Sequence, residues 1–168
     1  FIEKREYEEA IGVLHKIQRM PNSRARAEAA FLIADVYDKR VDGNPEQAVR
    51  AFQNCARRYP DSEFAGPALA KVVDYHIRTE DYLEAEDTLE QIFMDYQDED
   101  FLDSMLLKWV LVSFEMGNYH RAEEKCRKLL FDYPGSPHVK KAQEILPKIE
   151  ARLNEISNTE TKKENKDA

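Results

Sequence analysis

The residues of this sequence that could do chemistry are four histidines, two cysteines and one run of acids. His15, His76, His120 and His138 stand far apart, with no His-x-x-x-His or Cys-x-x-Cys spacing among them. A metal site needs ligands at such spacings, or else a chance meeting in the fold. Neither a glycine-rich phosphate loop nor a Gly-x-Ser-x-Gly elbow occurs, which removes the usual marks of nucleotide hydrolysis and of a serine nucleophile. Cys55 and Cys126 stand at positions that other segments fill with Ile or Leu, so they read as core packing rather than as reactive thiols. The acids Asp95, Asp98, Glu99, Asp100 and Asp103 could attract a cation or a basic peptide. They lack the Asp-x-Asp-x-Asp-Gly order of a calcium loop, and acids at a helix start are favoured by its dipole, so a solvated turn is the better reading. The expectation is a chain that is not an enzyme and needs no cofactor or metal.

What positions these residues is a repeat. Four segments share an aromatic residue or Pro, an Ala three positions on, and an apolar residue four beyond that: Tyr7, Ala10 and Leu14; Pro45, Ala48 and Phe52; Tyr82, Ala85 and Leu89; Tyr119, Ala122 and Cys126. The alanines are 38, 37 and 37 residues apart. A further apolar position follows at Ile17, Cys55, Ile92 and Leu129, which makes the i, i+4, i+7 stripe of an amphipathic helix. Three of these helices stop at a Pro followed by a Ser: Met20-Pro21-Asn22-Ser23, Tyr59-Pro60-Asp61-Ser62 and Tyr133-Pro134-Gly135-Ser136. The proline ends the helix, and the serine is expected to cap the next one. The third copy, Tyr96-Gln97-Asp98-Glu99, has no proline, so a different turn is expected there. Between these second-type helices lie apolar partner helices, predicted at about 24–38, 63–79, 100–116 and onward from Pro137. The alanines are placed where paired helices touch, because a small side chain allows close approach.

Composition agrees with an all-α chain. Of 168 residues 42% are apolar, enough for a core, and five glycines are too few for the turns of a β protein. The net charge of −8 argues against nucleic acid, since phosphate binding needs a basic surface. No apolar run reaches the ~18 residues of a membrane span, and no signal peptide precedes the first repeat. The cysteines fall on non-adjacent repeats and should not pair, which fits the cytosol and also tolerates the periplasm.

Over about residues 5 to 146 the pattern resembles the tetratricopeptide repeat, through its paired helices, its Tyr-x-x-Ala opening and its late proline. Gly117-Asn118-Tyr119-His120-Arg121-Ala122 is the stretch most similar to that family's inter-helix turn. The Tyr-Pro-x-Ser endings resemble the bacterial envelope branch, that of outer-membrane assembly lipoproteins and periplasmic coordinators. Val73 and Val110 depart from the small residue usual in the first helix, which Ala34 keeps, and the loop Arg40 to Asn44 is long. The resemblance implies a right-handed α-α superhelix with about three full helix pairs, a leading half-repeat and a C-terminal capping helix, over residues 1–156. Residues 157–168 carry no large apolar side chain and are expected to be disordered.

The resemblance also implies a protein-interaction scaffold whose first-type helices line a concave groove. Its inner positions here would be Phe31, Asp35 and Asp38, then Ala70, Asp74 and Ile77, then Leu107, Leu111 and Phe114, with Lys141 last. An acidic half followed by an apolar half suits a peptide or partner protein with basic and hydrophobic portions. The alternative for Leu107, Leu111 and Phe114 is the core, because the helix around Trp109 and Val110 is apolar on every side. The chain opens on a second-type helix, so Tyr7, Ile11, Leu14 and Ile17 are expected to form an edge covered by upstream residues or by another chain, the alternative being an edge that lies against the next helix and tolerates water. Two rival readings follow: self-assembly into a homo-oligomer through that edge, or the non-catalytic arm of a larger enzyme. Stripe residues Ala142, Ile145, Ile149, Leu153 and Ile156 predict a capping helix, with Pro147 kinking or splitting it.

Overall fold

The computed structural model describes residues 2–40, 43–97 and 100–164. Among the described residues there are eight helices and no strand. They are α1 (Ile2–Ile17), α2 (Ser23–Lys39), α3 (Pro45–Arg58), α4 (Ala65–Arg78), α5 (Tyr82–Asp95), α6 (Leu102–Glu115), α7 (Tyr119–Asp132) and α8 (Val139–Glu164). The contacts gather into two compact units, Phe1–Tyr96 and Gln97–Ala168. In the first unit, α1 through α5 each pack on the next in sequence; in the second, α6 packs on α7 and α7 on α8. This is the helix-pair repeat that the alanine spacing predicts.

The alanine column explains the pairing. Ala48, Ala85 and Ala122 are buried, so α3, α5 and α7 come close to their neighbours. Around them the larger side chains Phe52, Leu89, Ile92 and Leu129 are wholly enclosed, each contributing about 1.5–3 kcal/mol. Ala34, Val73 and Val110 are all fully buried, so the two valines are accommodated inside the pairs rather than displaced to the surface.

The turns follow one geometry with or without proline. Tyr59, Tyr96 and Tyr133 close α3, α5 and α7 with φ/ψ of −134/57, −130/54 and −128/55. Tyr96 takes up the shared conformation although no proline follows it, so at its start the third turn does not differ; residues 98 and 99 lie outside the described residues. In the first unit the Tyr96 hydroxyl donates to the Pro60 carbonyl at 3.1 Å, joining one turn to the turn before it.

The expected serine caps are corrected. Asn22 caps α2, its side chain accepting from Ala25 N–H at 3.2 Å, while Ser23 is already the first helical residue. The Ser62 hydroxyl donates back to the Tyr59 carbonyl at 2.8 Å, and α4 starts at Ala65, after Phe64, with no side-chain cap. Ser136 donates to Asp103 Oδ2 at 2.5 Å and accepts from His138 N–H at 3.0 Å. A hydroxyl can serve a turn carbonyl as well as a helix N-terminus, and local spacing does not decide which.

Two expectations about the C-terminus also change. Helix α8 runs through Pro147 as one helix, so the proline does not split it. Proline leaves the carbonyl four residues back without its helical partner, and here that residue is the exposed Gln143, which water can serve. The helix then runs on through residues 157–164, which composition predicts to be disordered; residues 165–168 lie outside the described residues. Glu and Lys are strong helix formers, and adding turns to an existing helix needs no new nucleus. Ala142, Ile145 and Ile149 are buried, Leu153 is half-buried and Ile156 is 42% exposed, so the packed stripe ends where the shorter α7 no longer covers it.

Candidate partner-binding faces

The first-type helices of the first unit are α2 and α4. Phe31 lies half-buried, its ring 5.4 Å from Phe52 edge-on and 5.8 Å from Phe64, and so ties α2 to α3 and to the start of α4. Asp35 accepts from Lys39 Nζ at 2.5 Å, one helical turn on. That bond, with the attraction of the same carboxylate, raises the Lys39 pKa. Asp38 stands 3.6 Å from Lys71 Nζ on α4. Arg78 lies over the Tyr75 ring at 5.8 Å. Asp74 is exposed and Ile77 half-buried. In the predicted acidic half Asp35 and Asp38 each hold a lysine, so at these two positions the face presents ion pairs rather than bare carboxylates. Asp38, Lys71, Asp74, Tyr75 and Arg78 rim a cavity of about 180 Å³ whose walls include Pro45, Ala48, Val49 and Phe52 of α3.

In the second unit the first-type helix is α6. Trp109 and Val110 are buried, as are Leu106 and Val112. Leu107 and Phe114 are half-buried and Leu111 is 39% exposed, so this row stands at the surface of α6 rather than in its core. The Phe114 ring meets Tyr119 of α7 edge-on at 5.3 Å. Lys125 Nζ of α7 sits 4.1 Å from the centre of the Trp109 ring. Lys141 is exposed near the start of α8 and 3.8 Å from Glu144.

The predicted edge on α1 divides. Tyr7, Ile11, Leu14 and Ile17 are half-buried, and α2 is the helix packed on α1, so these residues are partly covered. The uncovered residues are Ala10, which is exposed, and Val13, which is 55% exposed. Sequence reasoning missed Val13, although its position three residues after Ala10 marks it.

The chemically capable residues stay dispersed. Cys55 and Cys126 are buried free thiols, and burial pushes each pKa up to about 11. Such thiols are poor nucleophiles at neutral pH. His15 meets Gln18 at 3.2 Å, and His120 is exposed. His76 is buried, with Nδ1 3.6 Å from Asp81 Oδ2, a position that Ser113 fills 37 residues later. Of the acidic run, Asp103 accepts from Ser104 N–H and Ser136, Asp95 and Asp100 are exposed, and Asp98 and Glu99 lie outside the described residues. Among the described residues no group of three or more His, Cys, Asp or Glu could hold a metal, and no helix is long and apolar enough to cross a membrane.

No curated protein matches the chain. A family model described as the tetratricopeptide repeat matches residues 28–62, a span that begins in α2, takes in α3 and ends in the Tyr-Pro-Asp-Ser turn. Residues 28–62 are thus a tetratricopeptide repeat, and the helix pairs α4–α5 and α6–α7 carry the same helix–turn–helix pattern.

Proposed function

We propose that this chain is a protein-interaction scaffold that binds a peptide or a segment of a partner protein on its first-type helices and performs no chemistry of its own. The observation that carries the reading is the row Leu107, Leu111 and Phe114 on α6. A soluble helix that turns three large apolar side chains at i, i+4 and i+7 toward its surface is suited to an apolar anchor of a ligand. In the first unit, the ion pairs Asp35–Lys39 and Asp38–Lys71 supply polar specificity rather than net attraction. Preformed helices lower the ordering cost of binding, because only the ligand must lose freedom. The Tyr-Pro-x-Ser turns shared with the envelope branch support work in a bacterial envelope, which cell fractionation of the native protein tests directly.

Binding is tested by selecting peptides from a displayed random library on the folded chain. The expected result is a set of peptides rich in Leu, Phe or Met whose affinity falls at least about tenfold in Leu111→Asp, with helicity and melting unchanged. Peptides that bind Leu111→Asp as well as the parent overturn the assignment of this row.

A further inference from the structure

Helix α5 carries Glu84, Glu86, Asp87, Glu90 and Asp95 and no Lys, Arg or His. Glu86 is buried and Glu90 half-buried, whereas Glu84, Asp87 and Asp95 are exposed. Among the described residues none of these three carboxylates forms an ion pair. The cations of α3 and α4 are engaged elsewhere: Arg50 stands by Glu46, Arg57 on Asn54, Arg58 over the Tyr59 ring, Lys71 by Asp38 and Arg78 over the Tyr75 ring. His76 of α4 is buried and faces Asp81. The exposed face of α5 also holds two large apolar side chains in water, Leu83 and Met94, each 68% exposed. They are eleven residues apart, which is three helical turns and about 16 Å along one face. Asp87 lies between them, and Glu84 and Asp95 flank them on one side. The fold does not require this pair. In α3 the residues 37 positions earlier are Glu46 and Arg57, with Arg50 and Arg58 in place of Asp87 and Asp95, and the same helix forms. A lone exposed Leu or Met is ordinary on any surface. Two in register on one face, with unpaired carboxylates beside them, make an amphipathic strip.

We propose that this face of α5 docks a basic amphipathic helix of a partner protein, with apolar side chains on Leu83 and Met94 and lysines or arginines on Glu84, Asp87 and Asp95. The charges select a cationic partner, since unlike potentials meet across a specific interface and like charges are rejected. Phosphate-bearing surfaces are repelled for the same reason. The anchors select a helix. A helix surface has no free backbone edge, so an extended segment laid on it would leave its own N–H and C=O groups without partners, whereas a helix satisfies them internally. Two apolar contacts about 16 Å apart suit a second helix lying nearly along the first, since packing at about 20° keeps the two in touch over that length. A second copy meeting α5 through the same face is the poorer occupant, because it would set Glu84, Asp87 and Asp95 against their like. The face belongs to a second-type helix, so the proposal does not rest on the binding row of α6.

The probe is a synthetic helix of leucine and lysine, about fourteen residues long with its leucines on one face, together with a twin that carries glutamate for lysine. Titrated into the whole chain, the lysine peptide should shift the amide resonances along the exposed face of α5, and the glutamate peptide should not. The affinity read at those resonances should fall at least about tenfold in a Leu83→Gln, Met94→Gln chain and again in Asp87→Lys, with melting unchanged in both. It should be the same in Leu111→Asp, which separates this face from the α6 row. Shifts absent from α5, or equal affinity for the parent and for Leu83→Gln, Met94→Gln, overturn the proposal, the second because charge alone then holds the peptide. So does sedimentation showing a parent dimer that Leu83→Gln, Met94→Gln dissolves, since the occupant is then a second copy.

Discussion

Glu80 and Gly117 occupy the same point of the turn in two helix pairs, and both hold a left-handed backbone, with φ of 59° and 75°. Around each, the same two hydrogen bonds close the helix: Asp81 N–H to the His76 carbonyl and Asn118 N–H to the Ser113 carbonyl, both at 2.8 Å, with Glu80 N–H to Ile77 and Gly117 N–H to Phe114 beside them. This is the Schellman closure, whose left-handed residue is ordinarily glycine. A side chain there costs about 1 kcal/mol or more, partly offset by the smaller entropy that a non-glycine residue loses on folding. Glu80→Gly should raise the urea midpoint by up to about 1 kcal/mol of stability, and Gly117→Ala should lower it by a similar amount.

Ala85→Leu should cost about 1–3 kcal/mol, because overpacking a closed helix contact forces side chains off their rotamers. Ala10→Leu should change stability by less than about 0.5 kcal/mol, because Ala10 is exposed while Ala85 is wholly buried. Equal losses in thermal melts of the two variants would mean that the side of α1 bearing Ala10 and Val13 is covered in solution.

Lys125 and Trp109 form a cation–π contact at 4.1 Å in which the lysine side chain keeps only 16% of its exposure. Lys125→Met should cost about 0.5–2 kcal/mol. Trp109 is the single tryptophan, so its emission reports the loss of the charge directly in the native state.

Both cysteine thiols should resist a disulfide reagent in the folded chain and react on unfolding. Their pKa values rise from 9.0 to about 11 through burial, so between those values the folded chain keeps protons that the unfolded chain has lost. The stability they contribute is whole below pH 9 and is lost as pH rises through about 11. Melting should fall over that window, and less so in a Cys55→Ala, Cys126→Ala chain measured against its own neutral value.

Ser136 joins α6 to the turn before α8 through Asp103, whereas Ser62 bonds only within its own turn. Ser136→Ala should therefore cost about 1–2 kcal/mol, since it leaves a part-buried carboxylate short of a donor, and Ser62→Ala about 0.5 kcal/mol. Chemical denaturation of the two variants makes the comparison.

The helix-pair repeat was legible in the chain itself. Ala10, Ala48, Ala85 and Ala122 with the stripe residues behind them specify amphipathic helices of one pattern, and the Tyr59 and Tyr133 turns mark where they stop. That information is local, because helical periodicity and turn residues act within a few positions. Tertiary structure decided which neighbour covers each side. It left Tyr7, Ile11 and Leu14 of α1 half-buried and Ala10 and Val13 exposed, though all five belong to the apolar residues of one helix. It brought Lys71 to Asp38 across 33 residues of chain, turning a predicted acidic face into ion pairs. It put Phe31 among Phe52 and Phe64 and Ser136 on Asp103. Each of these depends on contacts between residues distant in sequence, and a repeat pattern constrains the period of such contacts without naming the atoms that meet.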